Sequence, residues 1–553
     1  MSVKSLETTP LITTTVVQST SDSEVDKDSQ VQFPIQPVDA VDEDISIWDI
    51  PNIFKIELAL FTNVFVGSFE GTVTSSTYAI ISNEFDAVNI GSIITIAYLI
   101  TSTSFQPLYG SLSDVLGRRF MSFFAIGVFS VGSLFCGLAR DIYSLFLFRA
   151  ITGIGGAGII SMSTIINSDV IPRKKRGLFQ SFQNIMLGVG SIIGASLGGL
   201  ICDTIGWRWC FIILLPMSLL SLVLTYLYVS NPPHHLSGLK LSSVDIKGSV
   251  LLVVGLSLQL IALYSRSLRF FLFFLISSSL LLFYFIYDLS KNDPSTIKLI
   301  PWETVNKLPQ LLTLNFGFIV GFANFANIYV LPLLFQLVLN DSATKAGLRL
   351  AIPSFFTSVG ALITGYVMNK NVNHLNWLIK LGFVILILGT FLNSLITPSL
   401  KKYVNFIIIP NNIGLGIAYP ASLFLYIFLF PNSLQASSTT TLLLARGVGQ
   451  VWGMAGASVV VAHLVKFKLW HVLAEHKKDL DLTDSQIADI IEQSSKSLTY
   501  VRHLPENIAV FVHSSYKAGL WGAQMVSIAV LVLGLLASIF KDFSSKAGKK
   551  FVI

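Results

Sequence analysis

Glu70 stands in Phe69-Glu70-Gly71-Thr72-Val73-Thr74, inside a long apolar stretch. Burial in lipid favours the protonated form of such a carboxyl, while a nearby cation favours the charged form. The group can hold either a proton or a cationic substrate, and competition for one carboxylate is the simplest physics of exchange transport. Two arginines are placed in the same way. Arg149 follows Phe148 in a glycine-rich run that ends Gly153-Ile154-Gly155-Gly156-Ala157-Gly158, and Arg446 stands in Ala445-Arg446-Gly447-Val448-Gly449-Gln450. At 1.5 Å per residue Arg446 lies roughly 12 Å inside one end of its span. An arginine within a span is costly, so it faces the interior of a bundle and does something there. Asn324, Asn327 and Gln450 offer polar groups that line a path or bond across helices.

Two further patterns concern movement. Gly110-Ser-Leu-Ser-Asp114-Val-Leu-Gly117-Arg118-Arg119 puts an acid and an arginine pair at a helix end, with glycines that permit a tight turn. Charges so placed latch neighbouring helices in one conformation and release them in another. Gly190, Gly194, Gly198 and Gly199 recur near one face of the next long apolar run, where small residues allow close helix contact.

The elements that must position these residues follow from composition. The chain has 553 residues, of which 52% are hydrophobic and only 12% charged. Domains of ordinary size cannot hide that much apolar surface, so lipid covers it, and lipid admits only helices or closed barrels. Apolar runs near twenty residues, such as Ile212 to Tyr228 and Phe406 to Phe430, have helix length rather than barrel alternation. The fold class is an all-α polytopic membrane protein. Spans are expected near 55–81, 89–109, 120–139, 141–168, 178–202, 211–229, 246–264, 270–287, 312–337, 345–368, 376–396, 404–430, 438–465 and 519–540. They divide as six, two and six: an N-terminal bundle over 51–230, an insertion with linkers over 231–300, and a C-terminal bundle over 301–540. Basic loops at Arg118-Arg119, Arg173-Lys174-Lys175-Arg176, Lys291, Lys298 and Lys307 place both termini in the cytosol.

Residues 1–50 are polar and lack an apolar leader core, and read as a disordered cytosolic tail. Glu7, Leu11 and Ile12 within it have the form of an acidic dileucine sorting signal. Residues 466–518 form one long lumenal loop with short amphipathic helices around Leu469, Val472, Ile487 and Ile491. His471, His476, His503 and His513 lie there, either as solvated side chains or as sensors of an acidic lumen. Residues 541–553 read as a second cytosolic tail. The net charge of +6 sits largely in orienting loops and gives no reason to expect nucleic acid. Three cysteines are too few for a disulfide framework, no phosphate-cradling motif is present, and no metal-ligand spacing or cofactor motif appears.

On the residues just quoted the chain resembles the major facilitator superfamily. Gly110–Arg119 is similar to its loop 2–3 signature, and the Arg149 run to its fourth-helix motif. Gly190–Gly199 is similar to its antiporter motif, with Ala195 where that motif has proline. Tyr329-Val-Leu-Pro332-Leu-Leu-Phe335-Gln336 and Ala445–Gly453 resemble the fourteen-span drug:proton antiporter branch. Ala97–Gly110 and Glu70–Ala79 resemble fungal vacuolar basic amino acid transporters, with Glu70 where the family usually has aspartate. The resemblance implies a monomeric, proton-coupled antiporter in the vacuolar membrane that imports lysine, arginine or histidine, and it implicates Arg149 in proton coupling. Glu70 is then expected to face the substrate's cation and Arg149 or Arg446 its carboxylate. Two other readings stay open: a plasma-membrane exporter of lipophilic or cationic drugs, and a non-transporting amino-acid sensor. No enzyme chemistry is expected.

Overall fold

The computed structural model describes residues 52–85, 93–230, 245–265, 267–291, 298, 300–341, 343–370, 374–431, 434–477, 482–496, 500–501 and 504–550. The expected tail 1–50, with Glu7, Leu11 and Ile12, and the loop residue His503 lie outside them. All regular structure among the described residues is helical. A first set comprises α1 (Ile53–Glu84), α2 (Ile93–Leu116), α3 (Arg118–Leu138), α4 (Ile142–Val170), α5 (Arg173–Thr204), the short α6 (Arg208–Ile212) and α7 (Leu214–Tyr228). A pair follows, α8 (Ile246–Tyr264) and α9 (Leu268–Leu289). The second set is α10 (Leu308–Leu333), α11 (Ala343–Lys370), α12 (Leu375–Ser394), α13 (Val404–Ile407), α14 (Ile409–Ile427), α15 (Gln435–Glu475), α16 (Asp484–Lys496) and α17 (Glu506–Lys550).

Within the first set α1 lies along α5, while α2 and α3 lie along α4. Within the second, α10 and α17 flank α15, and α12 lies on α14. The sets meet where α5 packs on α11 and α2 on α15. Glycine makes the closest of these approaches possible. A Cβ at Gly194 would fall 2.5 Å from the Phe69 carbonyl of α1, and one at Gly190 2.7 Å from that of Phe65. Gly199 meets no neighbouring atom within 4 Å, so of the expected packing glycines it is not a contact residue.

Ten helices among the described residues are long and apolar enough to cross a membrane. The expected segments 55–81, 246–264 and 345–368 lie in α1, α8 and α11, and the described part of 89–109 in α2; these four helices stand outside those ten. The expected loop 466–518 is mostly helix. α15 continues unbroken to Glu475 and α17 begins at Glu506, because Leu469, Leu473, Val512 and Tyr516 share one apolar core with Ile487, Ile490 and Ile491 of α16. The amphipathic spacing is therefore correct at Leu469, Ile487 and Ile491, but it belongs partly to extensions of the flanking helices. His471 packs on Phe467 and His476 on Phe511. The expected tail 541–553 is likewise a continuation of α17, through Lys550.

The pair α8 and α9 lies across the seam between the sets. Leu252, Leu256 and Phe285 pack with Leu108 of α2 and with Leu444 and Val448 of α15. Lys298 ties the pair at one end, 2.8 Å from Asp288 and 3.7 Å from Asp245. Much of the outward face of α9, including Phe270, Phe273, Leu280 and Phe283, is exposed and apolar, as a lipid-facing helix must be.

A turn of π-helix, Leu334–Val338, follows Pro332 at the end of α10 and carries the chain to buried Asp341. Arg349 Nε lies 2.8 Å and Lys401 Nζ 3.0 Å from its carboxylate, and Arg349 also donates to Asn405 Oδ1 at 2.7 Å. Burial pushes the Asp341 carboxyl up, but the hydrogen bonds and charges of Lys401 and Arg349 outweigh it and hold it below the usual carboxylate range. A depressed folded-state value means that the cluster's stabilisation is complete above the unfolded value of about 4 and is lost only as pH falls through the folded one. Asp341→Asn is therefore expected to destabilise the protein by about 1–3 kcal/mol. The loss should be equal at about pH 7 and about pH 5, both above that window. Thermal unfolding in detergent at the two values checks this; a deficit that vanishes at the lower pH would contradict it.

Candidate functional site

Glu70 on α1 and Arg149 on α4 form an ion pair in the interior of the first set, with side chains 0% and 1% exposed. Arg149 Nη1 donates to Glu70 Oε1, which also accepts from Thr74 Oγ1 at 3.1 Å. Arg149 Nε donates to the Ile94 carbonyl at 3.1 Å, and its guanidinium lies 4.7 Å from the Tyr98 ring centre of α2. The α4 glycines explain this reach. A Cβ at Gly153 would fall 2.4 Å from the Tyr98 carbonyl, and one at Gly156 2.2 Å from its hydroxyl. The glycine run of the sequence thus brings α2 against α4 at the level of the ion pair. A pair neutral as a whole is the arrangement in which two buried charges are tolerable, although Glu70 Oε2 has no hydrogen-bond partner.

Arg446 of α15 sits differently. Its Nη2 donates to the Tyr419 carbonyl at 2.8 Å and to Ser422 Oγ at 3.3 Å, and the guanidinium stacks 3.6 Å from the Tyr419 ring centre. It is 3% exposed, and no carboxylate pairs with it among the described residues. Gln450, one turn on, donates to the Tyr419 hydroxyl at 3.4 Å. Arg446, Gln450, Tyr419 and Ser422 thus form a second buried group, with a cation that has only neutral partners.

The two groups lie in different sets, and the α2–α15 contact relates their levels. A Cβ at Gly447 would touch Thr103 of α2, and one at Gly110 would touch Thr440 of α15, so α2 and α15 run antiparallel. That register sets Tyr98 level with Trp452, about 9 Å along the axis from Arg446. Asn327 is not part of either group. It donates to its own helix at Ala323, 2.9 Å away, and the parallel register of α10 and α15 places it more than two turns beyond Arg446.

The charged turn after α2 forms a cluster with α4 and α15, in which only one of its two arginines takes part. Arg118 binds Asp114 at 2.6 Å and Asp169 of α4 at 2.9 Å. Gln435 of α15 reaches the other Asp169 oxygen at 3.5 Å, which carries the latch across the seam. Gly117 has φ +92°, a conformation that favours glycine. Arg119 does not join the latch: it donates to the Tyr226 carbonyl of α7 at 2.7 Å and lies over that ring. Tyr98, Tyr419, Ser422, Asp169 and Gln435 were not legible as site residues. The available signals were Tyr419-Pro420, a proline within an apolar run, and an aspartate at the end of the fourth span.

The sequence profile described as Major Facilitator Superfamily matches residues 60–454. The chain belongs to this superfamily, and is a transporter rather than an enzyme. It is 42% identical over 477 residues to the vacuolar basic amino acid transporter 2 of Saccharomyces cerevisiae, covering 83% of this chain and 99% of that one. It is 33% identical over 494 residues to the multidrug resistance protein fnx1 of Schizosaccharomyces pombe, covering 86% and 90%. The crystal structure of the human organic anion transporter MFSD10 has the same fold, with a TM-score of 0.57 and 12% identity over 88% of this chain and 99% of that one.

Proposed function

We propose that this chain imports basic amino acids into the fungal vacuole in exchange for protons. The observation that carries the reading is the pair of buried groups: Arg446, a cation without a counter-ion, and Glu70, a carboxylate held by Arg149. An amino acid's α-carboxylate supplies the anion that Arg446 lacks. Its basic side chain competes with Arg149 and with protons for Glu70, so that substrate and proton exclude each other at one carboxyl. Arg149 alternates between neutralising Glu70 and yielding it, and the Asp114–Arg118–Asp169–Gln435 latch holds one of the two alternating conformations. The relative named as a vacuolar basic amino acid transporter supports the cargo and the compartment. The reading takes the chain as a monomer of fourteen spans in two six-helix halves, with both termini and the latch on the cytosolic side.

The relative named as a multidrug resistance protein favours a second reading, export of cationic or lipophilic compounds at the plasma membrane. One measurement separates them: uptake of radiolabelled lysine, arginine and histidine into acid-lumen vacuolar vesicles with and without this protein. Protein-dependent uptake that collapses with the pH gradient is expected. Vesicles that contain the protein and take up none of the three would turn the reading to drug export.

A further inference from the structure

We infer that Glu57 is a second proton-binding carboxyl, separate from Glu70, and that its protonation is tied to closure of the end of the bundle that holds the latch. The inference rests on the exchange reading above and adds a site to it. Glu57 lies in the second turn of α1, 2% exposed, and neither of its carboxyl oxygens has a hydrogen-bond partner. Thirteen residues separate it from Glu70, about 20 Å along the helix, so the two are independent positions.

Helix register identifies what surrounds it. α5 runs parallel to α1, with Gly190 against Phe65 and Ser68 and Gly194 against Phe69 and Thr72. Continued toward the start of α5, that register brings Gln180 and Gln183 level with Glu57. α4 runs antiparallel, with Ile159 and Ile160 against Gly67, which brings Asn167 to the same level. Asn167 Oδ1, Gln180 Oε1 and Gln183 Oε1 are all buried and accept no hydrogen bond. Neither Glu57 oxygen accepts a hydrogen bond where it lies, so an ion there has nothing to replace its lost hydration, whereas a carboxylic acid brings a donor to a level that holds three open acceptor oxygens.

Three charged groups near this level among the described residues have partners other than Glu57. Asp169 of α4 pairs with Arg118, Arg176 of α5 donates to the Ile171 carbonyl at 2.8 Å, and Lys55 of α1 lies 5.6 Å from the Tyr228 ring centre of α7. The seam between α5 and α11 is closed at this level. Ser181 donates to the Ala361 carbonyl of α11 at 2.5 Å, and Ser358 of α11 donates to the Asn184 carbonyl at 3.5 Å. These contacts sit on the same turns of α5 as Gln180 and Gln183. Parting α5 from α11 admits water to that level and lets Glu57 ionise; closing again requires it to take a proton back. Proton binding thereby becomes linked to the conformational change.

The test uses the full-length protein in liposomes, with labelled arginine and a pH-sensitive dye recorded together. Glu57→Gln is expected to lower the protons moved per arginine about two-fold. A ratio equal to that of the wild type overturns this inference alone; a wild type that moves arginine without protons overturns the exchange reading as well. If the variant does not fold, the wild-type protein decides. Dicyclohexylcarbodiimide reacts with protonated carboxyls in apolar surroundings, and peptide mass spectrometry should find it on Glu57. Labelling is expected to be several-fold faster at about pH 6 than at about pH 8. No adduct at Glu57, or labelling indifferent to pH, overturns the inference.

Discussion

Replacing Arg149 with alanine is expected to destabilise the protein by about 3–5 kcal/mol, the cost of leaving one partner of a buried ion pair uncompensated. Glu70 would keep its contact with Thr74 but lose its counter-ion in a site that water does not reach. Glu70→Gln alone should also destabilise, since it strands Arg149 among Ile94, Tyr98 and Phe211. The double variant Glu70→Gln/Arg149→Gln removes both charges and should recover much of the stability, though not transport. Thermal unfolding of the four proteins in detergent, read beside vesicle uptake, checks both halves of this statement. A double variant no more stable than either single one would mean that the two residues do not act as a pair. A double variant that transports normally would remove Glu70 from the coupling mechanism.

Arg446→Ala is expected to weaken recognition of amino acids by about 2–5 kcal/mol, the loss seen when a buried hydrogen-bonded charge pair is cut, or about 30-fold and upward in affinity. The loss should be confined to substrates that bear a carboxylate. Arginine and its decarboxylated analogue agmatine present the same guanidinium, so the ratio of their transport isolates the contribution of Arg446. The wild type should strongly prefer arginine, and the variant should treat the two nearly alike. Arg446→Lys keeps the charge but cannot reproduce both the contact with Tyr419 and a bidentate hold on a carboxylate, so it should fall between them. If the alanine variant prefers arginine as strongly as the wild type does, Arg446 is a packing residue and the carboxylate is bound elsewhere.

The helical segments and three of the buried charges, Glu70, Arg149 and Arg446, could be read from the sequence because lipid makes both conspicuous, whereas Glu57, near the start of its span, was passed over. Apolar length marks a helix, and a charge within it stands out. What the sequence did not carry was the pairing. Nothing in the spacing of Glu70 and Arg149 distinguishes an arginine bound to a carboxylate from one without such a partner, and it is on that difference that the proposed function gives Arg446 rather than Arg149 to an incoming anion. The same gap hid Tyr419, whose carbonyl and ring hold Arg446 from another helix, and Asp169, which completes a latch begun in a different loop. It also made Arg118 and Arg119 look equivalent, although only one turns inward. The segment 466–518 is more continuously helical than its local pattern suggests for a related reason. Polar residues lower its mean hydropathy to that of a loop, while Leu469, Leu473 and Val512 extend the flanking helices past the apolar run. Local pattern names the elements; which face meets which neighbour is decided by the packing of the whole bundle.

The lone guanidinium at Arg446 has an electrical consequence. With Glu70 and Arg149 cancelling one another, Arg446 is a buried positive charge with no carboxylate partner among the described residues, held within the second set by Tyr419 and Ser422. Any part of the membrane field that this charge crosses during the return step does work on it, up to about 2.3 kcal/mol per 100 mV for a full crossing. A bound carboxylate neutralises it. Reorientation of the empty form should therefore respond to voltage through Arg446, while the loaded form is released from that force at this residue. On the proposed exchange, membrane potential then joins the proton gradient in setting which step of the cycle is slow.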